Sequence, residues 1–181
     1  MSRSDYVQPD VFQLLLTALM PKNRLALEIS LSTGLRIGDV LSLRTADVRR
    51  SSRLTVKEQK TGKSRRVYLP ARLRDLCLQY AGRYYVFEGR LDPKQPRTRN
   101  AVYKDLKRVS ALYRLDGRKL RLQLSPHSAR KIYAVKTYHR IGNLEKVQQL
   151  LNHSNEAVTY LYAMADVLTT TSCGFSEKNR T

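Results

Sequence analysis

A mainly helical α+β domain with one small antiparallel sheet is the fold class this sequence predicts. Three observations point there. Apolar residues recur with a helical period along most of the chain. That period gives way to strand-like segments only at Arg53–Lys57 and Arg66–Leu69, and the turn Lys60-Thr61-Gly62-Lys63 joins these two as a hairpin. At 181 residues the chain suits one domain, which buries about two-thirds of its unfolded surface and needs no disulfide staple.

Taken in order, Pro9-Asp10 opens a first helix, with Asp10 and Gln13 spaced as a capping box and Phe12, Leu15, Leu16 and Leu19 as its apolar stripe. A second helix runs from about Lys22 to Ser32, with Leu25, Ala26 and Ile29 inward, and Gly34 ends it as a left-handed cap. A short third helix covers Arg36 to Leu43, with Ile37, Val40 and Leu41 on one face. After the hairpin, Pro70 starts a helix that ends near Gly82. Asp92 to Arg97 reads as a loop. Thr98 then caps a long basic helix through Leu115, with Val102, Leu106, Val109 and Tyr113 inward. Beyond an Arg-rich connector, Ser125-Pro126 caps a helix reaching about Arg140. A short helix follows at Leu144–Leu151. A last one starts at Ser154 or Asn155 and contains Tyr160 and Tyr162. Residues 1–9 read as an N-terminal extension, 10–168 as the domain proper, and 169–181 as a flexible tail.

Charge narrows the partners. Thirty-four Lys and Arg oppose fifteen Asp and Glu, a net +19, and the pI is near 10.3. Such a chain seeks a polyanion. The cations are spread over the whole domain rather than gathered on one face of an amphipathic segment, so DNA or RNA is favoured over a membrane surface. No apolar run approaches the roughly 20 residues of a membrane span, and the N-terminus lacks a signal-peptide core. Cys77 sits in the apolar pattern of Leu73, Leu76 and Tyr80 and reads as a buried thiol, whereas Cys173 lies in the polar tail. Neither has a metal-ligand partner at a suitable spacing, and both fit a reducing cytoplasm.

Four separated segments carry the chemistry: Thr33-Gly34-Leu35-Arg36-Ile37-Gly38-Asp39, Gln59-Lys60-Thr61-Gly62, Ser125-Pro126-His127-Ser128-Ala129-Arg130, and Leu150-Leu151-Asn152-His153 with Tyr162 nine residues beyond the histidine. At these residues the chain resembles the catalytic domain of tyrosine recombinases, the family of phage integrases and chromosome-dimer resolvases. The family pattern is an arginine after a Thr-Gly turn, a hairpin lysine, a His-x-x-Arg pair, a second histidine and a tyrosine. Arg36, Lys60, His127, Arg130, His153 and Tyr162 follow it in order, and the resemblance spans about Asp10 to Ala165.

The resemblance implies the integrase catalytic-domain fold and a DNA strand exchange through a covalent 3′-phosphotyrosine, with no metal, cofactor or ATP. Arg36 and Arg130 would clamp the scissile phosphate, since guanidinium forks meet non-bridging oxygens bidentately. Tyr162 would be the nucleophile, with His127 handling its proton and His153 donating to the phosphate. Lys60 would protonate the departing 5′ oxygen, with Lys63 as the alternative, and Asp39 would orient its neighbours. Tyr160 competes for the nucleophile's place, but it lies about 200° away around a helix, and the family spacing selects Tyr162. His139 fits no motif and reads as a partly exposed helix-end residue. Lys63, Arg65, Arg97, Arg99, Lys104, Lys107 and Arg108 are expected to contact DNA.

The chain departs from the family pattern in three ways. Asn152 stands where relatives usually have Gly, and Ala129 where they have Leu. Most relatives also carry an N-terminal helical clamp domain. Here the catalytic unit is expected to begin near Asp10, as an excised domain or as a short recombinase. The working assembly implied is a homo-tetramer joining two DNA sites, with the free chain a monomer. Two rivals stand beside this reading: a non-catalytic DNA-binding accessory protein on the same scaffold, and a type IB topoisomerase-like enzyme. A metal-dependent nuclease would need clustered carboxylates, which Asp39, Asp47, Glu58 and Asp75 do not form in sequence.

Overall fold

The computed structural model describes residues 7–115, 118–119 and 123–151, and at 114–115 and 118–119 it describes the backbone alone. Eight helices and two two-stranded ladders make up this part: α1 Pro9–Thr17, α2 Pro21–Thr33, α3 Ile37–Leu41, α4 Thr45–Arg50, β1 Arg53–Lys57, β2 Ser64–Tyr68, α5 Ala71–Tyr80, α6 Arg99–Leu112, β3 Arg114–Leu115, β4 Arg118–Lys119, α7 His127–Ile141 and α8 Leu144–Leu150. The mainly helical class with a small antiparallel sheet is the observed one. The expected last helix with Tyr160 and Tyr162, as well as His153, Cys173 and the tail, lies outside the described residues.

Helix α2 is the hub. It packs against α7, α3, α5, α1 and α6, and is buried on nearly all sides, polar Asn23, Glu28, Ser30 and Thr33 included. That is why its apolar stripe is weak in sequence: a central helix has no single wet face. Glu28 is tolerated there because Arg24 and Arg72 donate to its two oxygens at 2.7 and 2.6 Å. Burial by itself would raise its pKa, but the two guanidinium hydrogen bonds prevail and hold the carboxyl below its ordinary range. The expected inward faces of α1 and α6 are the buried ones, with Phe12, Leu15, Leu16, Val102, Leu106 and Val109 in the core. Cys77 is fully buried, and desolvation pushes its thiol up to about 12.

Several element ends differ from expectation, each for a local reason. Pro9 takes the first helical position of α1, so Gln8 is its N-cap and Asp10 sits inside the first turn without capping it. The capping box is therefore not formed, although an acid in the first turn still suits the helix dipole. Helix α3 is shorter than expected and is followed by a separate α4, because the chain leaves helical geometry at Ser42–Arg44, where Arg44 bridges Tyr85 and Val86 N donates to Leu43 O. Helix α6 stops at Leu112, and residues 114–115 pair with 118–119 instead of continuing it. Thr98 does cap α6, accepting from Ala101 N at 3.3 Å. Strand β2 starts at Ser64, two residues earlier than read, and Lys57 pairs with Ser64 across a six-residue turn, 58–63.

Gly34 closes α2 with φ +67°, the left-handed cap its sequence position predicts. A second constraint comes from α7: a Cβ at Gly34 would stand 2.4 Å from Cδ1 of the Tyr133 ring. Gly34→Ala is therefore expected to cost about 2–4 kcal/mol, from left-handed strain plus displacement of a packed ring. Urea denaturation followed by circular dichroism measures it; a loss under about 1 kcal/mol would show that the ring yields freely.

Candidate active site

The strand period determines which charged residues of the hairpin turn inward. Leu54 and Val56 alternate inward along β1, and Glu58 continues that series two residues on, fully buried. On β2 the inward series is Arg65, Val67 and then Leu69. The hairpin therefore delivers one acid and one base to the interior, both facing the α2–α3 corner at Gly34–Arg36.

Arg36, the N-cap of α3, donates through Nη1 to Glu58 Oε2 and keeps about 17% of its side chain exposed. Arg65 donates to the carbonyls of Thr33 and Gly34, the latter at 3.3 Å, and hydrogen-bonds the Tyr133 side chain. Desolvation lowers the Arg65 pKa. Arg65 was expected to touch DNA, but it is an internal brace of the Gly34 turn, as the alternation of β2 requires. Arg130, buried in the first turn of α7, donates to the same Gly34 carbonyl at 2.7 Å and to the Leu151 carbonyl. It thus ties α7 to both the α2–α3 turn and the end of α8.

His127 opens α7, three residues before Arg130, with its backbone N–H donating to Ser125 Oγ at 3.2 Å. Pro126 is the N-cap, so Ser125 supports the helix start from one position further out. The imidazole reaches solvent, yet protein packed against one side desolvates it. That effect first, and then the charges of Arg130, Arg36, Lys131 and Lys60, hold its pKa below the ordinary 6.5. His127, Arg36, Lys60 and Arg130 therefore lie in one electrostatic neighbourhood although they come from three segments.

The hairpin turn is fastened to α3 by three links. Besides the Arg36–Glu58 pair, Gln59 N donates to Asp39 Oδ1 at 2.9 Å and Gln59 Nε2 to Ser42 Oγ at 2.7 Å. Lys60 projects, exposed, from the tip so held, and Lys63 is exposed beside it. Asp39 is buried, and desolvation, opposed by the Gln59 hydrogen bond and reinforced by Glu58, raises its pKa. Read as ungrouped in sequence, Asp39 and Glu58 thus come within electrostatic reach of each other. Each also has one buried oxygen, Asp39 Oδ2 and Glu58 Oε1, without a hydrogen-bond partner among the described residues. Among the described residues no group of three or more His, Cys, Asp and Glu side chains gathers as a metal-ligand set.

An open groove of about 440 Å³ flanks this cluster, lined by Gly38, Ser42 and Gln59 on one side and Arg97, Thr98 and Arg99 on the other. It leads from the hairpin turn to the basic helix α6. There Arg99, Lys104 and Lys107 are exposed as a DNA-contacting face requires. Arg97 and Arg108 are partly committed to the fold. Buried Asp105 accepts from Met20 N at 2.9 Å, Asn23 Nδ2 at 2.8 Å and Arg108, while Asn23 Oδ1 accepts from Arg97 Nε at 2.8 Å. His139 is exposed near the end of α7, edge-on to Tyr138.

Sequence reading missed Glu58 and Lys131, and it leaves Tyr133 open between core and surface. The inward period of β1 was a signal for the first; nothing local marks the other two.

The model of the phage integrase family matches residues 5–168. The chain is 27% identical over 144 residues to a probable integrase/recombinase, YoeC, of Bacillus subtilis (strain 168), covering 77% of this chain and 76% of that protein. It is 27% identical over 142 residues to the tyrosine recombinase XerA of Saccharolobus solfataricus (strain ATCC 35092 / DSM 1617 / JCM 11322 / P2), covering 78% of this chain and 45% of that one, so it spans under half of that relative's length. Among solved structures, the XerH site-specific recombinase bound to palindromic difH substrate in a post-cleavage complex superposes with a TM-score of 0.68 at 19% identity. The match covers 95% of this chain and 53% of that one. With a family match across nearly the whole chain and a shared fold, this protein belongs to the phage integrase family and has the fold of the tyrosine recombinases.

Proposed function

We propose that this chain is the catalytic domain, residues 10–168, of a tyrosine-type site-specific recombinase that cuts and rejoins double-stranded DNA through a 3′-phosphotyrosine at Tyr162. One observation carries the reading: Arg36, Lys60, His127 and Arg130, drawn from three separated segments, lie in one electrostatic neighbourhood, with the carboxylates of Asp39 and Glu58 buried beside them. A surface with such an excess of positive charge is suited to an anion that bears charge on several oxygens, as a phosphodiester does. In the reaction the Tyr162 phenol oxygen bonds to phosphorus and the P–O5′ bond breaks. The phenol proton leaves toward His127, and Lys60 protonates the 5′ oxygen. Arg36, Arg130 and His153 hold the non-bridging oxygens as their charge grows. Religation is the same sequence reversed from a new 5′ hydroxyl, so the intermediate conserves the bond energy and no ATP, metal or cofactor enters. Arg99, Lys104, Lys107 and Lys63 would grip the DNA backbone outside the cut, with Arg97 and Arg108 contributing what the fold leaves free. A homo-tetramer would join two sites, with the free chain monomeric. The names of the relatives and the DNA-bound state of the XerH structure support the DNA substrate.

The test is to incubate the protein with a random-sequence duplex library in EDTA and recover covalent protein–DNA adducts, whose junctions also map the site. Adducts that form only with Mg²⁺, or none at all, would overturn the mechanism. Relaxation of supercoiled plasmid carrying no recovered site would instead mark a topoisomerase-like enzyme, and tight binding without adduct an accessory DNA-binding protein.

A low His127 pKa has a consequence for rate. The ring is neutral at pH 7 and able to accept a proton, and it charges only when pH falls below the ordinary 6.5. In single-turnover cleavage at subsaturating DNA, the acidic limb is therefore expected below pH 6.5, and it should move upward in Lys60→Ala, which removes one of the repelling charges. A limb at or above 6.5 would contradict this. Folding is linked with the same sign: the unfolded chain binds the proton first, so stability falls as pH drops through the window beneath 6.5 and is untouched above it.

A further inference from the structure

Resting on that reading, we propose that Glu58 is a positioning residue that sets Arg36 and the Lys60 turn in one frame, so that the phosphate clamp and the leaving-group acid engage the same phosphate together. Glu58 Oε2 accepts from two sides, from Arg36 Nη1 and from Thr61 Oγ1 at 3.0 Å. Thr61 is the residue after Lys60. The Glu58 backbone closes the same turn, donating from N to Lys63 O at 3.0 Å and accepting at O from Gly62 N at 2.8 Å. Gly62 has φ +68° with nothing within 4 Å of a Cβ built on it, so the turn's tight geometry comes from these hydrogen bonds and not from packing.

Burial gives this arrangement its stiffness. The Glu58 side chain has no solvent exposure, so water does not compete for Oε2. An exposed ion pair would hold neither partner in place. Without the Glu58 carboxylate the turn would keep its Gln59 links to Asp39 and Ser42, but nothing would tie Thr61, next to Lys60, to Arg36. An error of about 1 Å in a proton donor is enough to cost about 100-fold in rate.

The arrangement predicts a defect of a particular kind. Loss of the Thr61–Glu58 link should damage proton delivery to the leaving oxygen, while loss of the whole carboxylate should damage phosphate clamping as well. A duplex whose scissile phosphate carries sulfur at the 5′-bridging position separates the two, because a thiolate departs without being protonated.

The experiment uses the full chain and a nicked duplex bearing the site mapped from its own adducts, made with oxygen or with sulfur at that position, and reads single-turnover cleavage at saturating protein. On the oxygen duplex Thr61→Val is expected to lose about tenfold and Glu58→Ala about 100-fold, with DNA affinity within about threefold of the parent. Glu58→Gln, which keeps an acceptor for both partners, should recover most of the rate. On the sulfur duplex the Thr61→Val deficit should vanish and the Glu58→Ala deficit shrink by about tenfold. Deficits equally large on both duplexes, or losses that track DNA affinity, would overturn the positioning role. Thr61→Val decides the matter alone if Glu58→Ala does not fold. A parent chain that yields no adduct on any DNA would take down the recombinase reading itself, and this proposal with it.

Discussion

Tyr162→Phe is expected to abolish the covalent DNA adduct, while Tyr160→Phe leaves it within about threefold of the parent rate. Phenylalanine removes one oxygen and keeps the ring, so packing and DNA affinity should hold and only the bond to phosphorus is lost. The expected drop is at least about 10⁴-fold, because no second group can stand in for the nucleophile of a covalent mechanism. On the helix the sequence predicts there, a spacing of two residues is about 200° of rotation, so a single site would not receive both tyrosines. Denaturing gel shift on the nicked duplex in EDTA measures the adduct. Persistence in Tyr162→Phe, or transfer of the defect to Tyr160→Phe, would refute the assignment.

Removing either of the proposed clamp arginines ranks next. Arg36→Ala and Arg130→Ala are each expected to slow cleavage by about 10²–10⁴-fold while weakening DNA binding by less than about tenfold, since a donor aimed at developing charge acts mainly in the transition state. Both changes also disturb the fold, and the structure indicates by how much. Arg130→Ala leaves the Gly34 carbonyl with only its 3.3 Å bond from Arg65 and takes the Arg130 donor from the Leu151 carbonyl, a loss of about 1–3 kcal/mol. Arg36→Ala strips the fully buried Glu58 carboxylate of its counter-charge, which for a buried pair costs about 3–5 kcal/mol. The double variant Arg36→Ala/Glu58→Gln removes that orphaned charge. It is expected to recover most of the stability and little of the rate. If rate returned along with stability, Arg36 would be a structural residue and not a clamp. Equal losses in cleavage and binding would likewise reduce both arginines to DNA-gripping charges.

Much of this site is legible from local pattern. Thr33-Gly34 announces a left-handed helix end, and a helix end followed at once by Arg36 places that arginine at the start of the next helix, where a cation has no intrinsic reason to be. Lys60-Thr61-Gly62-Lys63 between two strand-like stretches is a hairpin tip on any fold. His127 and Arg130 at a helix start share a turn. Where local rules compete, the pattern misleads: Asp10 has the spacing of a capping residue, but Pro9 takes the first helical position and moves the cap outward by two residues, to Gln8.

Helix and strand periods, caps and turns follow from steric preferences within a few residues, so the chain's own order is enough to place the elements and to mark which side chains could do chemistry. It does not determine which charges are committed to the interior. Lys63 and Arg65 are two residues apart and were read alike. One stays at the surface, while the other braces carbonyls about thirty residues upstream. Arg130 finds its acceptor 96 residues away and Arg36 its carboxylate 22 away. A buried charge is tolerable only when its partner arrives with it. That pairing exists only once α2, α3, α7 and the hairpin have packed, and so tertiary structure alone brought Glu58 into the site.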